Sequence, residues 1–385
     1  MTRDIRATYL IFPAWTQNFW TWVTGKALPG QEPLFVHSWW SYTLATFATF
    51  FGGIALSATA ASLRFDFWGV AVVAGWLLTV CGARTLFLVI LHQCVHRRLS
   101  GDRLIDETIG DIASIVVLNQ NQRDFREDHF ATHHRRATFA TVADWPVRLL
   151  DSLGLRAGMS KRKIWIRAVL ALVSPHFHVP AFIRRIRSNL VYQGPRRFAV
   201  LVTFVAAMAA LHAGLPNGLV VMALAYWIPM TVFYQASALL DNLGEHGWLV
   251  PADPAHPARH YHANRTWARF TGAPVPDPGL PWYRAVPAWA KWAALMAFYH
   301  VPTRMLVVVG DLPNHDFHHR YPVSGSWTVA AYARQRDIDD GHPGWPPYIE
   351  FWGQIAAMDH VFAGLAAAPP EAAPSYRGAP AVAAE

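Results

Sequence analysis

Three histidines fall within six residues in HFATHH, at His129, His133 and His134. Two more stand four apart in LHQCVHRR, His92 and His96, and NHDFHHR holds His315, His318 and His319. Residues four apart on a helix lie about 40° from one another around its axis, with Cβ atoms roughly 5 to 6 Å apart, so their imidazoles can reach one ion. His134 would stand about 100° around from His133 and can address a second ion, and the third group spans a helical arc of about 100°. Pro313, just before that group, suits a first helical turn. A fourth group, DNLGEHG, places Asn242 four residues before His246. Nine imidazoles exceed one tetrahedral ion but can give four or five neutral ligands to each of two. Imidazole accepts iron, zinc, nickel or copper, so the ligand type alone leaves the ion open. Gln93 follows His92 where a zinc peptidase needs its glutamate base, which removes that hydrolytic role. An all-histidine shell leaves metal charge uncompensated. Asp124, Asp128, Asp241, Glu245, Asp311 and Asp316 are therefore the candidates for carboxylates just outside it, orienting imidazole N–H groups.

Such groups need a scaffold, and the composition says which solvent surrounds it. The 385 residues are 53% apolar and only 15% charged, and the 18 Trp, 22 Phe and 12 Tyr suit a chain that meets two water–lipid boundaries. Trp40 to Leu63 carries no charge, and Phe67 to Leu91 carries only Arg84. Each exceeds the roughly 20 residues that span a bilayer. Arg84 should lie toward the far end of its span and reach the interface, avoiding the mid-membrane cost of about 3 kcal/mol. Phe198 to Ala213 and Gly218 to Leu240, joined by GLPN, form a second pair. The expectation is an all-α membrane protein of two helical hairpins, about four spans, with a helical cap holding the histidines. Ile164 to Phe182 and Trp289 to Val309 are interrupted by charge and proline, and read as interfacial or cap-buried, each able to serve as one side of a third hairpin. Residues 1–365 read as one membrane unit and 366–385, rich in Ala, Pro and Glu, as a disordered tail.

Positive charge concentrates between Arg97 and Arg197, including KRK at Lys161–Lys163 and RRIR at Arg184–Arg187, while the connectors within the hairpins carry one basic residue. Basic connectors stay cytoplasmic, which puts both chain ends, the middle segment and every histidine group on that side. The net charge of +8 suits anionic lipid or an acidic protein partner; no nucleic-acid-binding module accompanies it. Cys81 and Cys94 are too few for a disulfide scaffold or a cysteine zinc site, and Cys94 reads as a small buried apolar residue. MTRDIRATYLIFPAW shows no cleaved-signal pattern.

HQCVH, HFATHH and HDFHH, in this order and membrane context, with NLGEH supplying the additional Asn242 and His246, resemble the motifs of the membrane-bound fatty acid desaturase family. The resemblance runs from about Trp40 to Tyr321. That family comprises histidine-ligated non-haem di-iron enzymes and includes hydroxylases and ketolases. The resemblance implies that the nine box histidines bind two irons, that Asn242 can hold a metal-bound water, and that O2 is the co-substrate. It further implies that electrons come from a separate donor and that hydrogen is taken from an unactivated C–H bond. Loss of a second hydrogen gives a double bond, and return of oxygen gives an alcohol. Desaturation of a fatty acyl or other lipid chain is the leading expectation; a di-iron hydroxylase or ketolase is the first alternative. A haem-binding membrane electron carrier and a membrane zinc hydrolase are further ones.

The remaining histidines receive plainer readings. HPARH, His256 to His260, copies the first spacing but contains Pro257, so with His262 it reads as loop or substrate entrance. HPGW at His342 resembles part of a cytochrome b5 haem motif, but too few residues follow it for a fused domain, which leaves a ferredoxin, rubredoxin or cytochrome b5 as an external donor. His37 reads as interfacial and His212 as adjacent to an external turn; His176, His178 and His300 read as interfacial packing or access-path residues, and His360 as outside the chemistry. The expected location is the cytoplasmic membrane of a bacterium.

Overall fold

The computed structural model describes residues 4–249 and 258–370. About two-thirds of the chain is helical, because its long apolar stretches must satisfy their own backbone hydrogen bonds in lipid. Helix α1 (Trp39–Leu63) starts at Ser38, whose hydroxyl accepts from the Ser41 N–H, and stops at Arg64 in the left-handed conformation. Helix α2 (Trp68–Val95) returns against it. The two pack backbone to backbone on small residues: a Cβ at Gly53 would strike the Thr79 amide, one at Gly75 the Ser57 hydroxyl, and one at Gly82 the Phe50 backbone.

The span expected to end at Leu91 runs on to Val95 through a π-helical turn at Leu86–Leu91. Its 28 residues reach roughly 42 Å at about 1.5 Å each, more than the ~30 Å hydrocarbon core, so the last turns leave the lipid and carry His92 with them. Arg84 does not reach for the interface as expected. It is buried and paired with Asp241, because the helix continues past it into protein rather than into water.

The chain then builds most of the cap. Helix α3 (Arg103–Val116) packs on the end of α2, and α4 (Gln122–Asp128) runs into a π-helical turn at His129–His133. Helix α5 (Trp145–Ser152) follows. The stretch expected as one interfacial segment is two helices, α6 (Lys161–Val173) and α7 (Pro175–Leu190), bent by 59°. Ser174 precedes a proline, which disfavours helical backbone there, and its hydroxyl accepts from the His176 N–H to start α7.

Helix α8 (Pro195–Gly214) and helix α9 (Gly218–Glu245) are the second hairpin. Of α8 only Arg197 is buried, leaving Phe198, Val202 and Val205 outward, as lipid contact demands. Helix α9 also outruns its expected end, Leu240, and delivers His246 at its C-cap. Helix α10 (Trp282–Leu295) buries none of its residues fully, although Trp289 and Trp292 pack against the N-terminal cluster of Tyr9 and Trp20. Helix α11 (His315–Arg320) carries the third histidine group, and α12 (Gln354–Ala367) closes the cap core beside Trp248 and Trp267.

Two features depart from the all-α expectation in detail. A two-stranded parallel ribbon pairs β1 (Ala268–Phe270) with β2 (Glu350–Trp352), and His246 bridges Thr266. Ala366, the expected start of the tail, lies inside α12, which runs through Ala367, and Ala368 is buried against the cap core; residues 371–385 lie outside the described residues.

Candidate metal centre

Nine imidazoles from four separate segments meet at the cap. His92, His96, His129, His134 and His318 form one group and His133, His246, His315 and His319 a second, with ligand atoms inside each group all within 4.8 Å of one another. The groups differ in exposure: His96, His134 and His318 are partly exposed, whereas all four members of the second are buried. They are termed the outer and inner groups.

The π-helical turn decides who joins which. Regular α geometry would set His129 beside His133. Instead the His134 N–H bonds to the His129 carbonyl, five residues back, and the His129 and His134 Nε2 atoms approach to 2.9 Å. His133 is thereby turned into the inner group. The third box divides likewise, His318 outward and His315 with His319 inward.

The facing nitrogens are consistent with a cation between them. Nε2–Nε2 separations are 3.1 Å for His92–His318, 2.9 Å for His96–His129, 3.3 Å for His318–His134 and 3.1 Å for His319–His315. Neighbouring ligand atoms around an ion with bonds of about 2.1 Å stand about 3.0 to 3.4 Å apart. His246 is fully buried with neither ring nitrogen hydrogen-bonded, and a polar group left so needs a partner. Burial, reinforced by neighbouring imidazoles, holds His129, His134, His246, His315, His318 and His319 well below the usual imidazole range. His96 is pushed down to about 4 by burial and by Arg126 and Arg98. All are thus kept neutral, the state that donates a lone pair to a metal.

His133 is the exception. Burial acts to lower it, but the charge and hydrogen bond of Asp144, with Glu245 beyond, outweigh burial and raise it. Asp144 Oδ2 lies 3.3 Å from His133 Nδ1 and also accepts the Ala140 N–H. This outer carboxylate is missing from the sequence reading, because Asp-Trp-Pro ahead of an apolar run looks like a helix N-cap. Asp144 occupies the N-cap of α5 yet makes no capping bond with its side chain.

The six carboxylates expected around the histidines behave differently. Asp124 bonds Asn121, Asp128 bonds Gln120, and Asp316 pairs with Arg334. Asp241 is shared by Arg84 and Arg269, and burial pushes the Asp311 carboxyl up to about 7. Only Glu245 touches imidazole, its Oε1 3.2 Å from His315 Nε2. Asn242, one turn earlier, is buried with its side-chain oxygen unpartnered.

A cavity of about 550 Å3 reaches this assembly. His92, His129, His133, His315, Asn242 and Glu245 form its reactive wall, and Phe87, Leu88, Phe125, Phe177 and Leu239 line it alongside. The other described histidines stay out of both groups. His212 bonds Trp227, His300 accepts from the Gly272 N–H, and His342 meets the Trp345 carbonyl. His262 lies tilted against Phe139, its centroid 6.2 Å from that of His319. His256 lies outside the described residues.

The family model for fatty acid desaturase matches residues 66–275, more than half of the chain. That span contains His92, His96, His129, His133, His134, Asn242 and His246, and stops short of the third box, which the fold brings to the same place. No curated protein matches the chain.

Proposed function

The chain belongs to the fatty acid desaturase family, and from that premise we propose that it is an O2-dependent oxidoreductase that desaturates an unactivated C–C bond of a fatty acyl or other lipid chain. The observation that carries this reading is the convergence of nine imidazoles in two groups, of which His92, His129, His133 and His315 line one cavity. His92, His96, His129, His134 and His318 would hold one iron. His133, His246, His315 and His319 would hold the other, with Asn242 beside it. A bound iron pair supplies the redox capacity for O2-dependent removal of hydrogen from an unactivated C–H bond.

The protein's own groups supply placement. Phe87, Leu88, Phe125, Phe177 and Leu239 give the cavity an apolar side against which an alkyl segment can be held, and fixing one C–H bond there sets selectivity. Asp144 fixes the His133 proton on Nδ1, leaving Nε2 free to ligate. Arg97, Arg98, Arg135 and Arg136 are exposed around the outer group. They suit an acidic electron donor such as a ferredoxin, rubredoxin or cytochrome b5. The four apolar helices anchor the enzyme in a bilayer, in our reading the cytoplasmic membrane of a bacterium with the metal site inward.

The test is product mass. Membranes containing the protein, supplied with reductant, donor, O2 and a lipid pool, should yield lipid that has lost two hydrogens. Gain of one oxygen from 18O2 would replace desaturation by hydroxylation. Absence of any O2-dependent product from iron-loaded protein would overturn both.

A further inference from the structure

Helix α7 lies at the depth of lipid. Phe182 sets its ring 6.3 Å from that of Trp227, and the buried Arg185 donates to the Met230 carbonyl. Trp227 and Met230 both stand near the midpoint of α9 (Gly218–Glu245), whose surplus length lies at the cap end. Val179 and Ile183 leave α7 on another side and are exposed, as are Val169, Leu170 and Val173 on α6. A large apolar surface exposed at the level of a span meets acyl chains rather than water. It is also continuous with a lipid-facing span: exposed Leu190, Val191 and Tyr192 lead to Phe198 on α8, its ring 6.1 Å from that of Tyr192.

The α6–α7 pair does not cross the bilayer. Lys161 pairs with Asp359 of α12, and Asn189 donates to the Asn119 carbonyl, so both ends stay with the cap and the pair lies along the membrane. Lys161 to Tyr192 holds seven basic residues and no acid, and the sixteen residues from Ala168 to Ile183 include no Lys, Arg, Asp or Glu. An apolar elbow between basic ends suits a leaflet with anionic head groups. The cavity opens against this elbow. Of the described residues that line it, the exposed ones are Trp145, Arg148 and Ser152 on α5 and Arg184 on α7, while Phe177 and Ala181 on the inner side of α7 belong to its wall. Arg148 and Arg184 form no ion pair or hydrogen bond among the described residues. The acids inside the mouth, Asp124 and Asp128, are engaged by Asn121 and Gln120.

We infer that α6 and α7 lie in the leaflet on the cap side, with α7 as the lipid-side lip of the cavity, so that substrate enters sideways as a membrane lipid whose anionic head stops at Arg148 and Arg184. The inference rests on the oxidation of a lipid chain proposed above for what the cavity does with its guest. Long basic side chains at such a lip keep their charge at head-group level while their stems lie against lipid.

The experiment uses the full chain in nanodiscs of phosphatidylglycerol and phosphatidylcholine in equal parts, and reads bound lipid by mass. With p-benzoylphenylalanine in place of Ile183, illumination should attach lipid, as it should with the same group in place of Phe198 on α8. A second protein chain attached at Ile183, or no adduct there while the Phe198 position is labelled, would overturn the placement of α7. Native mass spectra of protein moved into detergent should show phosphatidylglycerol retained over phosphatidylcholine. Arg148→Gln and Arg184→Gln should each lower that preference about fivefold, the weight of one basic residue at a lipid surface. Retention without head-group preference, or a preference unchanged in both variants, would overturn the role of the two arginines; both side chains are exposed, so either variant alone can be read if the other fails to fold. These readouts need neither iron nor turnover. A labelled, lipid-selective protein that yields no oxidised lipid would sink the proposed activity alone, and active protein without adducts at Ile183 would sink this inference alone.

Discussion

His133 and Asp144 show how one hydrogen bond can fix a ligand. With Asp144 3.3 Å from Nδ1, the His133 proton would be held there and Nε2 left for a metal. Outer carboxylates of this kind typically change metal affinity or activity by about 10 to 100-fold. Asp144→Asn should therefore weaken iron binding at the inner group by about that factor, with the outer group still loaded, as read by iron titration followed spectroscopically. Equal weakening of both irons would show that Asp144 acts on the fold rather than on His133. At this scale the sequence is legible where spacing is the message. All nine histidines could be picked from their HxxxH, HxxxHH and HxxHH spacings and the fourth group, and all nine arrive at the centre. Asp144 could not, because it sits eleven residues from its imidazole across a turn and in a context that mimics a helix cap. Nor could the division between His133 and His134, which depends on a π-helical turn that no residue type announces.

Hairpins were readable as elements because length and absence of charge suffice to mark a span; their ends were not. Helices α2 and α9 each continue beyond the expected stop, and that surplus positions His92 and His246. The same continuation explains Arg84. Read alone, a lone arginine in an apolar helix should seek water. In the folded protein Asp241 on α9 binds it, and β1 contributes Arg269 to the same carboxylate. A shared anion makes the two ends of this network unequal. Arg84→Met leaves Asp241 paired with Arg269, whereas Asp241→Asn leaves two buried guanidinium groups facing no carboxylate. Breaking a buried pair from one side costs about 3 to 5 kcal/mol, so Asp241→Asn should lower the unfolding transition in detergent well beyond Arg84→Met. Equal losses would show that Arg269 does not share the acid. The small parallel ribbon was invisible for a different reason: three residues per strand carry too little alternation to stand out.

As a whole, the protein brings four distant segments, His92 through His319, into two groups that could each hold an ion. Anything that binds the folded state alone stabilises it in proportion to its affinity. Stripping iron with a chelator should therefore lower the thermal transition of the detergent-solubilised chain, and adding iron back should restore it; an unchanged transition would mean that the histidines pack without needing the ion. Removal should also proceed in two phases. The outer group has a partly exposed rim, while the inner group is buried and meets, through His133 and His315, the cavity proposed to take the lipid. On the proposed reading a seated lipid would act as a cork, standing in the inner ion's way out. An enzyme kept supplied with lipid should then hold its metal longer than one left idle, and starvation for substrate would become a route to demetallation.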